Sequence, residues 1–175
     1  MPSPPCPICG ASGRGVPALT VKSLALPSVA SRVTQGPYFF CETRSCPVVY
    51  HEGAGELLVK DQIAVRVGCK ELQAPRLVCY CFGHTAEEIQ QDAATEDGPR
   101  VIAEIEAKIR SGLCACETTN PEGVCCLGRA REVARCSSTK PGRTMVVDSS
   151  PGSDADFGEA GCCQHPAGDA ERSDR

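Results

Sequence analysis

Apolar positions along the chain change their period near residue 76. Before it they come in short blocks. Tyr38-Phe39-Phe40 leads into Cys41 and Val48-Val49-Tyr50 leaves Cys46. Two aromatic and β-branched runs on either side of a polar turn predict a hairpin with a cysteine pair at its tip. Leu57–Val59 and Ile63–Val67 suit two more short strands, or one strand and an irregular edge. Leu19–Leu26 mixes β-formers with the makings of a helical turn, and Ser28–Val33 is open to either conformation. Beyond the polar stretch Glu71–Arg76 the period becomes helical. Thr85-Ala86-Glu87-Glu88 is a capping box that predicts a helix to about Ala94. Asp97-Gly98-Pro99 breaks the chain, and Val101, Ile102, Ile105 and Ile109 form one apolar stripe, a core face ended by Gly112. A third helix is expected over Leu127–Arg135.

The predicted class is α+β: a small β-rich module over residues 1–72, a small helical module over 76–136, and a tail from 137. Ser, Gly and Pro supply 14 of the last 39 residues, with sparse apolar content and mainly acidic charge, the composition of a disordered segment. With 4% aromatic residues and no Trp in 175 residues, large core anchors are scarce. Modules this small need staples, and metals are one kind.

Fourteen cysteines supply the means. The start, Met1-Pro2-Ser3-Pro4-Pro5-Cys6, has neither the basic nor the apolar region of a secretory signal, so reduced thiols in a cytoplasmic protein are expected rather than disulfides. No apolar run approaches the roughly 20 residues that span a bilayer. Net charge is −4, about +2 over residues 1–75 and about −3 over each of 76–136 and 137–175. Without a basic field or stacking aromatics, nucleic-acid binding is not expected.

Cys6-Pro7-Ile8-Cys9-Gly10 is a knuckle in which Gly10 can take the positive φ that turns backbone amides toward sulfur. Cys41 and Cys46 follow, and the two pairs together can enclose one zinc ion. The βαβ context of a thioredoxin-like motif is missing. Four protein ligands would make the site structural, with no position open for catalysis. Spacing leaves open whether Cys46 or His51 is the fourth ligand; Cys69 is most simply a small buried residue.

A second group comprises Cys79, Cys81, Cys116 and the pair Cys125-Cys126, with Cys114 beside it. A disulfide within Cys79-Tyr80-Cys81 would be strained, and tetrahedral thiolate coordination suits zinc and iron–sulfur centres alike. The helix after Cys126 and the one capped by Thr85 would turn positive ends toward an anionic centre, and Arg129 and Arg131 are either further compensation or solvated helix charges. His84 could tune the centre through a hydrogen bond to sulfur, or face solvent before the helix cap. Cys114 and Cys125 are spare or alternative ligands, and Cys136 lies beyond the module. In the tail, Cys162-Cys163-Gln164-His165 could capture a soft ion or be incidental. No nucleophile–base pair and no Gly-rich phosphate loop point to an enzyme.

The order Cys-x-Cys, helical span, second cysteine pair, then Leu127-Gly128-Arg129-Ala130-Arg131-Glu132-Val133 resembles the bacterioferritin-associated ferredoxin-like [2Fe–2S] domain. In that family the fourth ligand opens a helix with an Ala-Arg-Glu-Val run, which implies Cys126 rather than Cys125. Nine residues separate Cys116 from Cys126, where two are usual. The insertion Asn120-Pro121-Glu122-Gly123-Val124-Cys125-Cys126 is similar to the amino-terminal domain of CopZ-type copper chaperones. So are Thr20-Val21-Lys22, Tyr38-Phe39-Phe40-Cys41, Val48-Val49-Tyr50 and Val65-Arg66-Val67-Gly68.

This resemblance implies zinc on Cys6, Cys9, Cys41 and Cys46, and a redox-active [2Fe–2S] cluster on Cys79, Cys81, Cys116 and Cys126. It implies a non-enzymatic protein of copper or heavy-metal handling, with Cu+ as a further bound ion. Such a protein would pass one electron to a metal ion or partner and work with a separate copper transporter or chaperone. The alternative is a ferredoxin-like relay or an iron and redox sensor. The heavy-metal-associated domain that follows in that family has no counterpart after residue 136.

Overall fold

The computed structural model describes residues 3–53 and 55–138. The chain starts with a knuckle turn and strand β1 (Arg14–Val16), then helix α1 (Ala18–Leu24) and the single turn α2 (Pro27–Ala30). Strands β2 (Tyr38–Phe40), β3 (Val48–His51) and β4 (Leu57–Val59) complete an antiparallel sheet in the order β1-β2-β3-β4. Phe40 pairs with Tyr50 and Tyr50 with Leu58, so the expected hairpin forms in the middle of the sheet. All four residues of β3 are buried, as suits a strand covered on both faces.

Two short runs that the sequence leaves open resolve to the non-strand alternative. Leu19–Leu26 is mostly helical: Val21 and Leu24 of α1 pack into the core beside the sheet, Thr20 is buried near Gly123, and Lys22 is exposed. Ile63–Val67 contains no strand, only an isolated bridge from Ile63 to Ala25; Val67 is nevertheless buried in the same core. Burial of Val16, Val21, Leu24, Tyr38, Tyr50 and Leu58 defines that core.

The chain crosses to its second part where Gly68 meets the backbone of Leu77. A Cβ at Gly68 would fall inside contact distance of the Leu77 carbonyl, so a side chain there would push the two segments apart. Strand β5 (Leu77–Cys79) pairs with β6 (His84–Thr85), a ribbon the sequence pattern did not indicate. Helix α3 (Ala86–Ala93) then begins with the expected box: Thr85 Oγ1 accepts from the Glu88 amide at 3.1 Å, and Glu88 Oε2 from the Thr85 amide at 3.4 Å.

Helix α4 (Arg100–Arg110) buries Val101, Ile102 and Ile105 and half-buries Ile109. Its end is a Schellman pattern, with the Gly112 amide on Ile109 O at 2.9 Å and the Leu113 amide on Lys108 O at 3.1 Å. A single turn, α5 (Cys116–Thr119), opens the cysteine loop, and α6 (Leu127–Ser138) closes it, running three residues past the expected Arg135. Ile89, Ile105 and Ala130 are fully buried where α3, α4 and α6 meet. The described residues all belong to one compact unit with separate β-side and helix-side cores. No helix among them is long and apolar enough to cross a membrane. Apart from Ser137 and Ser138, which continue α6, the tail and its Cys162-Cys163-Gln164-His165 group lie outside the described residues.

Candidate metal centres

The knuckle brings Cys6 and Cys9 to one end of the sheet, where the β2–β3 turn presents Cys41 and Cys46. All four sulfurs lie within 4.8 Å of one another, with Cys6–Cys46 at 3.9 Å and Cys9–Cys41 at 3.6 Å. Tetrahedral zinc with Zn–S bonds of about 2.3 Å requires S···S separations of about 3.8 Å. The spacing therefore fits a mononuclear ion. Gly10 has φ of +73°, and its amide donates to Cys6 O at 2.8 Å, which closes the knuckle. Val48 packs against Cys6, Cys41 and Cys46, so three of the four thiols are buried and only Cys9 reaches solvent.

Burial sets the protonation of these thiols. It pushes Cys46 up to about 12 and raises Cys41, although the Lys70 ammonium pulls Cys41 back. Burial also acts upward on Cys9, but hydrogen bonds from its surroundings, led by the Thr43 hydroxyl, overcome it and bring Cys9 down to about 6. A cation bound by the group would displace the protons that the buried thiols hold.

Lys70, which the sequence did not single out, is fully buried beside this turn. Its Nζ donates to Thr43 O at 2.9 Å and to Cys46 O at 3.2 Å, so one ammonium ties down both carbonyls of the turn that holds Cys46. Four thiolates around a divalent ion carry −2, and a buried cation beside them offsets part of that charge. A lysine in an otherwise polar stretch carries no pattern that marks it as buried, which is why it was missed.

His51 stands apart from the sulfur group. Its ring is buried, stacks on Phe39 with centroids 5.6 Å apart, and has no hydrogen-bond partner at either nitrogen. Desolvation lowers its pKa, favouring the neutral form. Cys46, not His51, occupies the fourth corner of the group. Cys69 is half-buried against the first core.

The second group assembles from four directions. Cys79 ends β5, Cys81 sits in the following turn, Cys116 opens α5, and Cys126 directly precedes α6. Cys81 Sγ is 3.6 Å from Cys116 Sγ, and Cys126 shares hydrogen bonds with both Cys116 and Cys79. Those bonds pull Cys116 down to about 5 and Cys79 to about 7, while the donor, Cys126, is pushed up. Of the adjacent pair, Cys126 is buried and Cys125 exposed. The Cys126 carbonyl accepts the first helical bond of α6, from Ala130 at 2.9 Å, so the amino-terminal end of this helix lies at the thiols.

Four neighbours of the group can now be located. Cys114 belongs to the group: its sulfur is 3.4 Å from Cys116, and Cys81, Cys114 and Cys116 all lie within 4.8 Å of one another. His84 faces neither solvent nor a sulfur hydrogen bond; it is buried with Nδ1 3.1 Å from Glu88 Oε1. Arg129 and Arg131 reach carboxylates, Glu122 at 3.5 Å and Glu106 at 2.8 Å.

The two centres are joined through their second spheres. Arg14 Nη2 sits 2.6 Å from Glu42, next to Cys41, and 2.6 Å from Glu122 in the loop between Cys116 and Cys126. Tyr80, between Cys79 and Cys81, accepts from the Gly68 amide at 2.7 Å and donates to Arg66 O at 3.0 Å. Asn120 braces the same loop, its Nδ2 donating to Val124 O at 2.7 Å and its Oδ1 accepting from the Glu122 amide at 3.1 Å.

Comparison with known proteins places these features. Residues 3–64 match the CopZ-type zinc binding domain family. The copper chaperone CopZ of Archaeoglobus fulgidus is 34% identical over 121 residues, 69% of this chain and 57% of that protein, so the chain spans just over half of CopZ. The X-ray structure of the A. fulgidus CopZ N-terminal domain superposes with a TM-score of 0.56 at 31% identity, over 74% of this chain and 96% of that one. At that identity over nearly the whole of that structure, the chain belongs to the family of the CopZ amino-terminal domain, with its zinc binding domain at residues 3–64.

Proposed function

We propose that this is a non-enzymatic, cytoplasmic metal-handling protein with two thiolate centres of different kinds. Cys6, Cys9, Cys41 and Cys46 would hold a structural zinc ion, and Cys79, Cys81, Cys116 and Cys126 a [2Fe–2S] cluster. The observation that carries the reading is the contrast in sulfur spacing. The first four sulfurs close around a single point, as a mononuclear ion requires. In the second group Cys79 and Cys126 stand outside the tight set of Cys81, Cys114 and Cys116, joined to it through Cys126. A binuclear cluster takes two thiolates on each of two irons and so needs such a spread.

A cluster bound there supplies one-electron redox chemistry. The surrounding residues would hold its negative charge: the Ala115 amide donates to Cys81 Sγ at 3.3 Å, the Thr119 hydroxyl oxygen lies 3.2 Å from the same sulfur, and the amino terminus of α6 lies at Cys126. The similarity to CopZ favours copper, or a related soft metal, as cargo, and a copper transporter or separate chaperone as partner.

The test is the visible and EPR spectrum of anaerobically purified full-length protein, with iron, sulfide and zinc analysis. About two irons, two sulfides and one zinc per chain are expected, with a rhombic EPR signal on reduction. Two zincs and no iron would make the second centre structural and overturn its redox role.

A further inference from the structure

Six cysteines lie in or beside the second centre, and four complete a cluster. Cys114 is the surplus thiol with geometry of its own. Its sulfur lies 3.4 Å from Cys116, Cys81 Sγ is 3.6 Å from Cys116, and all three fall within 4.8 Å. Two of them are approached from solvent: Cys114 and Cys116 line an open cavity of about 290 Å³, whose lining also includes the exposed Cys125. Three convergent sulfurs and an open approach form a receptor, distinct in shape from the four-cornered zinc group.

We propose that Cys81, Cys114 and Cys116 form a three-thiolate site for trivalent arsenic, available in the chain that carries no cluster. This rests on the reading above only in taking Cys81 and Cys116 as cluster ligands, which makes the two occupants mutually exclusive. Charge balance selects the ion. Three thiolates around As(III) are neutral, whereas around a divalent ion they carry −1 and around a monovalent one −2. Cys116 is buried and the other two are half-buried, so the neutral complex avoids the desolvation that a charged one meets. Pyramidal As(III) has S–As–S angles close to a right angle and draws its sulfurs closer together than planar coordination does, in keeping with the 3.4 and 3.6 Å separations.

The exchange needs no oxidant or reductant. Arsenous acid loses three hydroxyl groups, three As–S bonds replace three As–O bonds, and each hydroxyl leaves as water, taking its proton from the thiol it is replaced by or, where that sulfur is already a thiolate, from solvent.

The experiment uses the full chain, zinc-loaded and free of iron and sulfide, with Cys162 and Cys163 replaced by Ser to silence the tail. Arsenite is titrated anaerobically while the near-ultraviolet sulfur-to-arsenic absorption and the remaining thiols are followed. One arsenic per chain consuming three thiols is expected, with affinity reduced by about 100-fold in Cys114→Ser through loss of one arm of the chelate. Reconstitution of Cys114→Ser with iron and sulfide should yield the wild-type cluster spectrum. Unchanged arsenite binding in Cys114→Ser overturns the proposal, and so does failure of that variant alone to take up a cluster. If the parent chain assembles no cluster but still binds one arsenic through three thiols including Cys114, the arsenic site stands and the cluster reading falls.

Discussion

The phenol of Tyr50, in the central strand of the zinc-side sheet, donates a 2.8 Å hydrogen bond to the carbonyl of Pro121, in the loop between Cys116 and Cys126. The residues are 71 positions apart, and the bond is buried. Burial raises the Tyr50 pKa, so the phenol keeps its proton and remains a donor across the physiological range. Tyr50→Phe leaves the ring packing in place and removes one donor from a carbonyl that water does not reach. It should lower stability by about 1–3 kcal/mol. Chemical denaturation of the zinc-loaded protein would check this, with an unchanged denaturant slope; an unaltered midpoint would mean that the loop is held by other contacts.

Lys70→Met keeps the buried stem and deletes the ammonium that bonds Thr43 O and Cys46 O. The turn carrying Cys46 then loses two hydrogen bonds, and the thiolates lose a nearby positive charge. Removal of outer-sphere partners costs about 10–100-fold in metal affinity, so zinc transfer to a chromophoric chelator should be favoured by that factor. Equal transfer equilibria for variant and wild type would assign Lys70 to packing alone.

Cys125 and Cys126 are adjacent in sequence and opposite in exposure. Cys126→Ser should abolish iron retention at the second centre, while Cys125→Ser should retain iron and the visible spectrum. Iron analysis after anaerobic gel filtration distinguishes them, and the reverse result would exchange the assignments.

Glu87 supplies a pH signature. Burial acts to raise its pKa, but hydrogen bonds from the Arg76 amide and guanidinium, at 3.0 and 2.7 Å, outweigh it and hold the carboxyl below its ordinary 4.5. A depressed folded-state pKa contributes stability that is complete above the unfolded value and lost as pH falls through the folded one. The stability difference between wild type and Glu87→Gln should therefore be constant above about pH 5.5 and shrink on acidification below about 4.5. Melting temperatures of both proteins across pH 3.5–7 would show it, and a difference independent of pH would rule out the linkage.

The parts that local chemistry dictates were legible in the residues. The Thr85 box, the stripe from Val101 to Ile109 and the hairpin around Cys41 and Cys46 each follow from short-range pattern, and each formed. The cysteine groups were legible because thiolates at short spacings have few other uses. The rest depends on tertiary contact. Val21 belongs to a helix against its own β tendency because it and Leu24 share a core with sheet residues up to 40 positions away. Lys70 and His84 look like surface residues in sequence and are buried in space, and Cys114 gains its place beside Cys81 only through the path of the loop.

Tyr50 and Tyr80 both reach across to main-chain groups: the Pro121 carbonyl, the Gly68 amide and the Arg66 carbonyl. Every residue offers a carbonyl, and all but proline an amide, so the far side of each tyrosine contact is free to drift in identity as long as the backbone keeps its course. Correlated substitution between relatives will therefore leave these two tyrosine contacts nearly silent, and the tyrosines will stand as solitary fixed positions. The coupling of the halves can show as covariation only where side chain meets side chain, as Arg14 meets Glu122.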